Sequence, residues 1–205
     1  MKRTSRLAIL LSLVCVFVAG FSNFAQAQRI DVGFGVSTTL APSASSCSGN
    51  CLVPESLTGG AYPGVSGDVV FWHNVGIESE VFWRASQGTG YYASQLGVNY
   101  RPLFYNFNAV YSPKLASHTY LELVAGIGAM GTHLYQCNGC QIAGGSSLVA
   151  TSNHFDGDFG GGIKFYPKGG FFIRPEARIY LINNNTNFAG SYATRVGASI
   201  GYTFK

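Results

Sequence analysis

The sequence predicts an all-β protein, an eight-stranded antiparallel up-and-down β-barrel that crosses a membrane. Hydrophobic residues make up 47% of the 205 residues and charged residues only 11%. Yet beyond the N-terminal segment the chain has no run of the roughly 18 apolar residues that a membrane helix needs. It alternates apolar and polar residues instead. A closed barrel pairs every backbone group between strands, so it can present an apolar outer surface without apolar helices.

The N-terminal segment has the pattern of a secretory signal peptide. Three basic residues precede an apolar run over 7–20, and Ala25–Ala27 forms a small-x-small cleavage site. A membrane anchor is the alternative, but the run is short for a span and a cleavage site follows it. We therefore expect residues 1–27 to be removed and residues 28–205 to form one barrel domain. The remaining ten basic and nine acidic residues form no basic patch, which argues against a nucleic-acid partner.

Eight segments with period-two alternation are the predicted strands. They cover Ile30–Thr39, Gly64–Trp72, Val75–Ala85, Pro102–Ser112, Thr119–Met130, Phe155–Tyr166, Phe171–Ile182 and Ser191–Phe204. The connections run long, short, long, short, long, short and medium. Outer-membrane barrels have long loops on the outside and short turns at the periplasmic end. An even number of strands then places both chain termini on the periplasmic side.

The two faces of these strands differ in polarity. In the seventh strand, Ile173 and Ile179 oppose a row formed by Arg174, Glu176 and Arg178, and every acidic residue except Glu55 lies on a polar face. A lipid-facing charge costs about 2–4 kcal/mol near the bilayer centre, so we expect the polar face to line the lumen. A soluble lipocalin-like barrel would have the reverse arrangement, with an apolar interior and a polar exterior. The scarcity of lysine in the mature chain, four residues, argues against that alternative.

The lumen of an eight-stranded barrel is just wide enough for side chains to fill it, and buried charges need partners. We therefore predict a network of paired charges that fills the interior. Its predicted members are Glu78, Glu80, Arg84, Glu122, Asp156, Asp158, Lys164, Arg174, Glu176, Arg178 and Arg195. A narrow polar path for ions or small solutes is the alternative use of the same residues. The sequence predicts no metal and no other cofactor.

Two pairs of cysteines lie in the first and third long loops, Cys47 with Cys51 and Cys137 with Cys140. Their spacing would suit zinc, but an exported protein favours disulfides. The pairing stays open among three connectivities, with local pairs preferred.

A catalytic set is a weaker interpretation of the third loop. Ser152, His154 and Asp156 are each two residues apart, so they share one face of an extended chain and could serve a lipid-modifying enzyme. A polar loop end produces the same pattern by chance. We therefore predict no catalytic residues and no enzymatic activity.

The chain as a whole resembles the small bacterial outer-membrane barrels of the OmpA/OmpX type, the outer membrane protein β-barrel domain group. Its C-terminal Gly201-Tyr202-Thr203-Phe204 is similar to the aromatic signal read by the outer-membrane assembly machinery, although Lys205 follows here. The resemblance implies export to the outer membrane of a Gram-negative bacterium and assembly directed by Tyr202 and Phe204. It also implies contact with outer-membrane lipid and lipopolysaccharide.

Members of this group differ in function, so the fold alone gives no activity. We predict a structural or surface-interaction role, with a narrow porin or channel as the alternative, and a monomer, because a closed barrel has no free edges. Loops on a rigid scaffold are where a surface partner would bind. The candidate contact residues are Gly60, Tyr62, Tyr91, Tyr92, Asn138 and Phe188.

Overall fold

A computed structural model describes residues 29–43, 55–88, 97–136 and 147–204. The predicted signal peptide, the four loop cysteines, Tyr91, Tyr92 and Asn138 lie outside these ranges. None of the described residues belongs to a helix long and apolar enough to cross a membrane. The strands are β1 (Arg29–Leu40), β2 (Tyr62–Trp72), β3 (Val75–Trp83), β4 (Val98–Tyr111), β5 (Lys114–Ala116), β6 (Thr119–Gln136), β7 (Ser147–Lys168), β8 (Phe171–Ile182) and β9 (Tyr192–Phe204).

The strands form one antiparallel sheet that closes on itself. Its order is β4-β3-β2-β1-β9-β8-β7-β6, and the pairing of β4 with β6 completes the ring. The three-residue β5 is a side element that pairs with the start of β6. The eight long strands coincide with the eight predicted segments apart from their ends, so the predicted eight-stranded antiparallel barrel is confirmed.

The connections divide the barrel into two ends, which we call the turn end and the loop end. The turn end holds both strand termini, Arg29 and Phe204, and the short turns. His73 and Asn74 close one of these turns with φ values of 42° and 67°, the left-handed conformation that a two-residue hairpin of this kind requires. The loop end holds the three long connections and the medium one between β8 and β9.

Strands β4, β6 and β7 continue beyond the predicted bounds at the loop end. The pairing of Met130 with His154 extends to that of Gln136 with Ser147, and β4 begins at Val98 rather than at Pro102. The prediction missed this extension because residues 147–151 are exposed on both faces, so no apolar alternation marks them as a strand. The third long connection, between β6 and β7, is correspondingly shorter than predicted.

The barrel is apolar outside and polar inside, as predicted. Exposed large hydrophobic residues cover the outer wall, with Phe107 69% and Ile200 63% exposed. Eight of the nine acidic residues are buried in the lumen, and Glu55 is the exception. The alternation of each strand therefore places its charges inward and its apolar side chains outward.

The interior is not uniformly polar, which differs from the prediction. A cluster of hydrophobic side chains fills the lumen at the loop end: Leu57, Tyr62, Tyr100, Phe104, Met130, Tyr180, Ile182, Phe188 and Ala193. Tyr62 and Phe188, two of the candidate loop contacts, belong to this cluster and are fully buried, so they are not available to a partner. Both lie beside the lumen mouth, where the inward face of a strand or loop is shielded from water.

Candidate functional site

The inward side chains of β8 follow one another along the lumen from the turn end to the loop end. These side chains are Phe172, Arg174, Glu176, Arg178 and Tyr180, and all five are buried. Successive members are separated by about 7 Å along the strand. The lumen is therefore a stack of layers, each built from β8 and the strands opposite it.

The layer nearest the turn end is centred on Lys164, whose side chain is fully buried. Its Nζ lies 2.6 Å from Asp31 Oδ2 and 2.8 Å from Asp68 Oδ2, and it also contacts Glu122 Oε2. Oxygen atoms of these three carboxylates lie within 4.8 Å of one another, a spacing that would suit a metal ion. The lysine ammonium occupies that position and supplies the positive charge.

Two arginines of β8 hold the middle of the lumen. Arg178 binds Glu78 through two hydrogen bonds of 2.8 Å each, one from each terminal nitrogen. Arg174 contacts Glu122, and its Nη1 also lies 3.2 Å from Glu78 Oε1. Paired N–H groups directed at one carboxylate give the strongest type of ion pair, because charge and geometry both match.

Arg195 of β9 completes the network toward the loop end. Its Nη2 lies 2.8 Å from Glu80 Oε2 and 3.3 Å from Glu176 Oε1. Its guanidinium also stacks 3.6 Å from the ring centre of Phe82, and Glu80 accepts a 2.8 Å hydrogen bond from Tyr180 Oη. The arginines thus share their carboxylates, so the layers form one continuous network.

Asp156 and Asp158 form the acidic edge of this network. Asn106 donates from Nδ2 to both carboxylates, at 2.5 Å to Asp156 and 3.1 Å to Asp158. The nearest cation to Asp158 is Arg178, at 3.8 Å, and Asp156 has no ion pair among the described residues. The lumen thus carries more carboxylates than cations, and the amide of Asn106 compensates for part of this difference.

Glycines of β6 make these contacts across the sheet possible. The amide of Asn106 on β4 reaches Asp156 on β7 by lying over Gly128, where a Cβ would come within 2.5 Å of Asn106 Nδ2 and 2.3 Å of the Tyr105 carbonyl oxygen. Small inward residues therefore leave the space that the polar network occupies.

Replacing Gly128 by alanine is expected to destabilise the barrel by about 1–3 kcal/mol, because the added methyl group overpacks against fixed backbone. The matched control is Gly157→Ala on the outward face of β7, where the nearest atom to a new Cβ is 3.7 Å away. Urea unfolding of both variants in detergent measures the difference. Equal stability of the two variants would contradict the close packing over Gly128.

Most predicted network residues meet in the lumen, but Arg84 does not. It follows the last residue of β3 and is half-buried at the loop end, where its Nη1 donates a 2.9 Å hydrogen bond to Tyr100 Oη. No lumenal carboxylate lies within ion-pair distance of it in the described structure. The strand ends just before Arg84, so alternation no longer determines where its side chain points.

The prediction omitted Asp31 and Asp68, which bind Lys164, and Arg29, whose Nε lies 3.0 Å from Asp31 Oδ2. Asp31 and Asp68 occupy inward positions of β1 and β2, between residues that alternate outward. The alternation already places both on the polar face, so their absence from the predicted network was an omission from its membership and not an error about the face.

Aromatic side chains close the lumen at both ends. At the loop end the ring of Phe104 lies 4.9 Å from that of Tyr180, and Phe188 packs edge-on against Tyr100 at 5.2 Å. At the turn end the ring centre of Tyr166 lies 5.9 Å from that of Phe172 and 5.5 Å from that of Tyr120. The charged layers are therefore separated from water on both sides.

Ser152, His154 and Asp156 share the inward face of β7 but are not linked as a catalytic relay. Ser152 Oγ contacts Asn187 Nδ2, and Asp156 binds Asn106. His154 Nε2 is buried and makes no hydrogen bond with the described residues. A nucleophile activated by a neighbouring base needs the hydrogen bond between them.

Comparison with known proteins identifies the fold. No family model and no curated protein matches the sequence. Among solved structures, the chain is similar to Ail, the attachment invasion locus protein of Yersinia pestis, in complex with the heparin analogue sucrose octasulfate. The TM-score is 0.52 at 12% identity, over 86% of this chain and 97% of Ail.

Two other solved structures give the same result. Neisserial surface protein A has a TM-score of 0.51 at 10% identity, over 86% of this chain and 96% of its own. A major outer membrane protein from Thermus thermophilus has a TM-score of 0.52 at 8% identity, over 85% of this chain and 99% of its own. The protein described here has the fold of the small bacterial outer-membrane β-barrels.

Proposed function

We propose that the protein is a structural and surface-interaction barrel of the bacterial outer membrane, with a lumen that does not conduct. The observation that carries this proposal is the filled interior: stacked layers of paired charges lie between aromatic closures at the two ends. The apolar outer wall would face lipid, the turn end the periplasm and the loop end the cell exterior. An ion crossing this lumen would have to displace several buried ion pairs, each of which is costly to break.

Purified protein in a planar bilayer is therefore expected to produce no steady single-channel steps. The preparation should first resist SDS until boiled, since a folded barrel migrates differently from the unfolded chain on a gel. Reproducible conductance steps that change size in Arg174→Gln would overturn the closed lumen and favour the alternative, a narrow porin or channel. A protein with no heat shift that stays soluble without detergent would contradict the membrane location itself.

The loop end offers a surface for the interaction role. We call the part of the outer wall that is covered by exposed hydrophobic side chains the apolar belt; strands β4, β6 and β7 continue beyond it as a three-stranded extension. Residues 147–153 of β7 have no strand partner on the side away from β6 within the described residues. Asn183 donates to the Phe155 carbonyl on that side at 2.8 Å, so the backbone groups of Thr151 and Asn153 point the same way. An extended segment of a partner protein could pair with such an edge.

Several features outside the lumen complete the proposal. We propose that residues 1–27 are cleaved on export, that the four loop cysteines form disulfides, and that the barrel is a monomer in contact with lipopolysaccharide. Tyr202 and Phe204 would act as the assembly signal; their rings lie 4.9 Å apart on the outer wall, where they are exposed. N-terminal sequencing of the exported protein tests the cleavage site, and thiol labelling with and without reductant tests the disulfides.

We also propose that the protein is not an enzyme. The unlinked positions of Ser152, His154 and Asp156 support this, because the only candidate relay in the described residues lacks its hydrogen bonds. Lipid A from expressing and non-expressing cells should have identical acyl composition. A changed acyl pattern would favour a lipid-modifying activity instead.

A further inference from the structure

The outer wall of the three-stranded extension changes character just above the apolar belt. Across β4, β6 and β7, one outward row joins Tyr105, Ala129 and Phe155, and the row four residues nearer the loop tips joins Arg101, His133 and Thr151. Four residues correspond to about 13 Å along a strand and, at a tilt of about 40°, to about 10 Å of height. Lipid headgroups begin where the hydrocarbon ends and extend about 5–8 Å further. With the lower row at the edge of the hydrocarbon, the upper row therefore lies just beyond the headgroup layer, and its side chains can contact the outer groups of that layer.

Three outward side chains of this wall contact one another. The Arg101 guanidinium lies 5.8 Å from the ring centre of Tyr135, and Tyr135 Oη lies 3.5 Å from His133 Nδ1. Arg101 is also anchored by a 3.3 Å hydrogen bond from Nη2 to the Ala85 carbonyl. The ring and the carbonyl hold the arginine in place, so little conformational entropy is lost when it binds a ligand.

Two further polar side chains of this wall, Tyr105 and Asn153, lie nearer the turn end than Arg101 and Tyr135. Tyr105 Oη donates to Asn153 Oδ1 at 3.4 Å, across Gly131, where a Cβ would meet that amide oxygen at 3.0 Å. We call Arg101, His133, Tyr135, Tyr105 and Asn153 the headgroup patch. The patch thus has hydroxyl, amide and imidazole groups on the same wall as one guanidinium, and these match the hydrogen-bonding groups of a phosphorylated sugar.

The charge of Arg101 is not balanced by a nearby carboxylate. All acidic residues of the protein except Glu55 are buried in the lumen, and no ion pair to Arg101 exists among the described residues. A partly exposed cation without an anionic neighbour, facing the headgroup layer, is complementary to a phosphate. Because eight of the nine acidic residues are buried in the lumen, Glu55 is the only side-chain carboxylate that could compete with a phosphate for Arg101.

We propose that the headgroup patch binds the phosphorylated headgroup of a lipid in the outer leaflet, with Arg101 on the phosphate and Tyr105, Asn153 and His133 on the neighbouring sugar groups. This inference rests on the membrane location proposed above. It names the wall of β4, β6 and β7 as the side of the barrel that holds the lipid.

The test titrates the full mature chain, folded in neutral detergent, with bisphosphorylated lipid A, and measures bound lipid by native mass spectrometry. Arg101→Gln is expected to weaken the apparent affinity about five- to tenfold, the loss of one charge-assisted contact. The matched control is Lys114→Gln, which removes the same charge from an exposed position at the turn end and should change the affinity less than about twofold. Arg101→Lys, which keeps the charge but loses the planar fork, should lie between.

Unchanged affinity in Arg101→Gln, or equal weakening in Lys114→Gln, would overturn the patch. Inorganic phosphate binding as tightly as the lipid would show an ion site rather than a lipid site and would overturn it as well. Every variant is checked for its heat shift first, and His133→Gln replaces Arg101→Gln if the latter does not fold. Wild-type protein that lacks a heat shift refutes the membrane location instead, so the two failures are distinguishable.

Discussion

Replacing Lys164 by methionine is expected to remove about 3–5 kcal/mol of stability, the typical cost of breaking a buried ion pair by deleting one partner. Methionine keeps most of the length of lysine but none of its charge. Asp31, Asp68 and Glu122 would then face one another across less than 5 Å in a closed lumen, without the ammonium that binds all three. Urea unfolding in detergent, followed by the heat shift on a gel, measures the loss.

The Lys164→Met variant is also expected to gain a binding site for a divalent cation. Three carboxylates at this spacing provide oxygen ligands for a divalent cation such as Ca²⁺. Refolding Lys164→Met in millimolar calcium should therefore recover part of the lost stability, and a chelator should reverse the recovery. Wild-type protein and the control Lys114→Met, at an exposed position of β5, should not respond. A variant as stable as wild type without calcium would mean that the lysine does not neutralise this layer.

Arg178→Met is expected to have an effect of similar size, again about 3–5 kcal/mol, or to prevent folding. Arg178 makes two hydrogen bonds of 2.8 Å to Glu78 and lies 3.1 Å from Glu80. Removing it leaves both glutamates buried with fewer positive neighbours. Arg84→Met is the matched control, because Arg84 is half-buried at the rim and bound to a tyrosine, so its loss should cost about 1 kcal/mol.

A double variant separates lost charge pairing from lost packing. Glu78→Gln removes the negative charge that Arg178 neutralises, so the pair Glu78→Gln and Arg178→Met should be less destabilised than the sum of the single variants, by about 1–3 kcal/mol. Additive effects would indicate that the arginine stabilises the lumen by filling space. The free energies of unfolding of the four proteins, measured in urea, decide between these outcomes.

Most of the fold could be predicted from the sequence, because apolar and polar side chains alternate along each strand. A period of two is a local property of a strand, and in β8 it separates Ile173 and Ile179 from Arg174 and Arg178 without reference to any other strand. A bilayer outside and a narrow lumen inside then leave one sense of closure. Strand number, topology and the side of the wall on which each charge within a strand lies follow from that pattern.

The pairing of charged side chains across the lumen could be determined only from the tertiary structure. Lys164 meets Asp31 and Asp68 from strands distant in sequence, and which layers coincide depends on the stagger of the closed sheet, which no single strand encodes. The face of a strand predicts that a charge points inward, but it does not predict which opposite charge it binds.

The loop end also required the tertiary structure, because the sequence signal ends with the apolar belt. Leu148 and Thr151 belong to a part of β7 that is exposed on both faces, so no alternation of apolar and polar residues marks it. Phe188 fills the lumen mouth from a loop, and Arg84 turns to Tyr100 once β3 has ended. Sequence alone therefore determined the wall of the barrel, where the alternation of each strand is a local property. Only the closed tertiary structure decided the contents of its lumen and the shape of its outer end, since those contacts join residues that the local pattern does not relate.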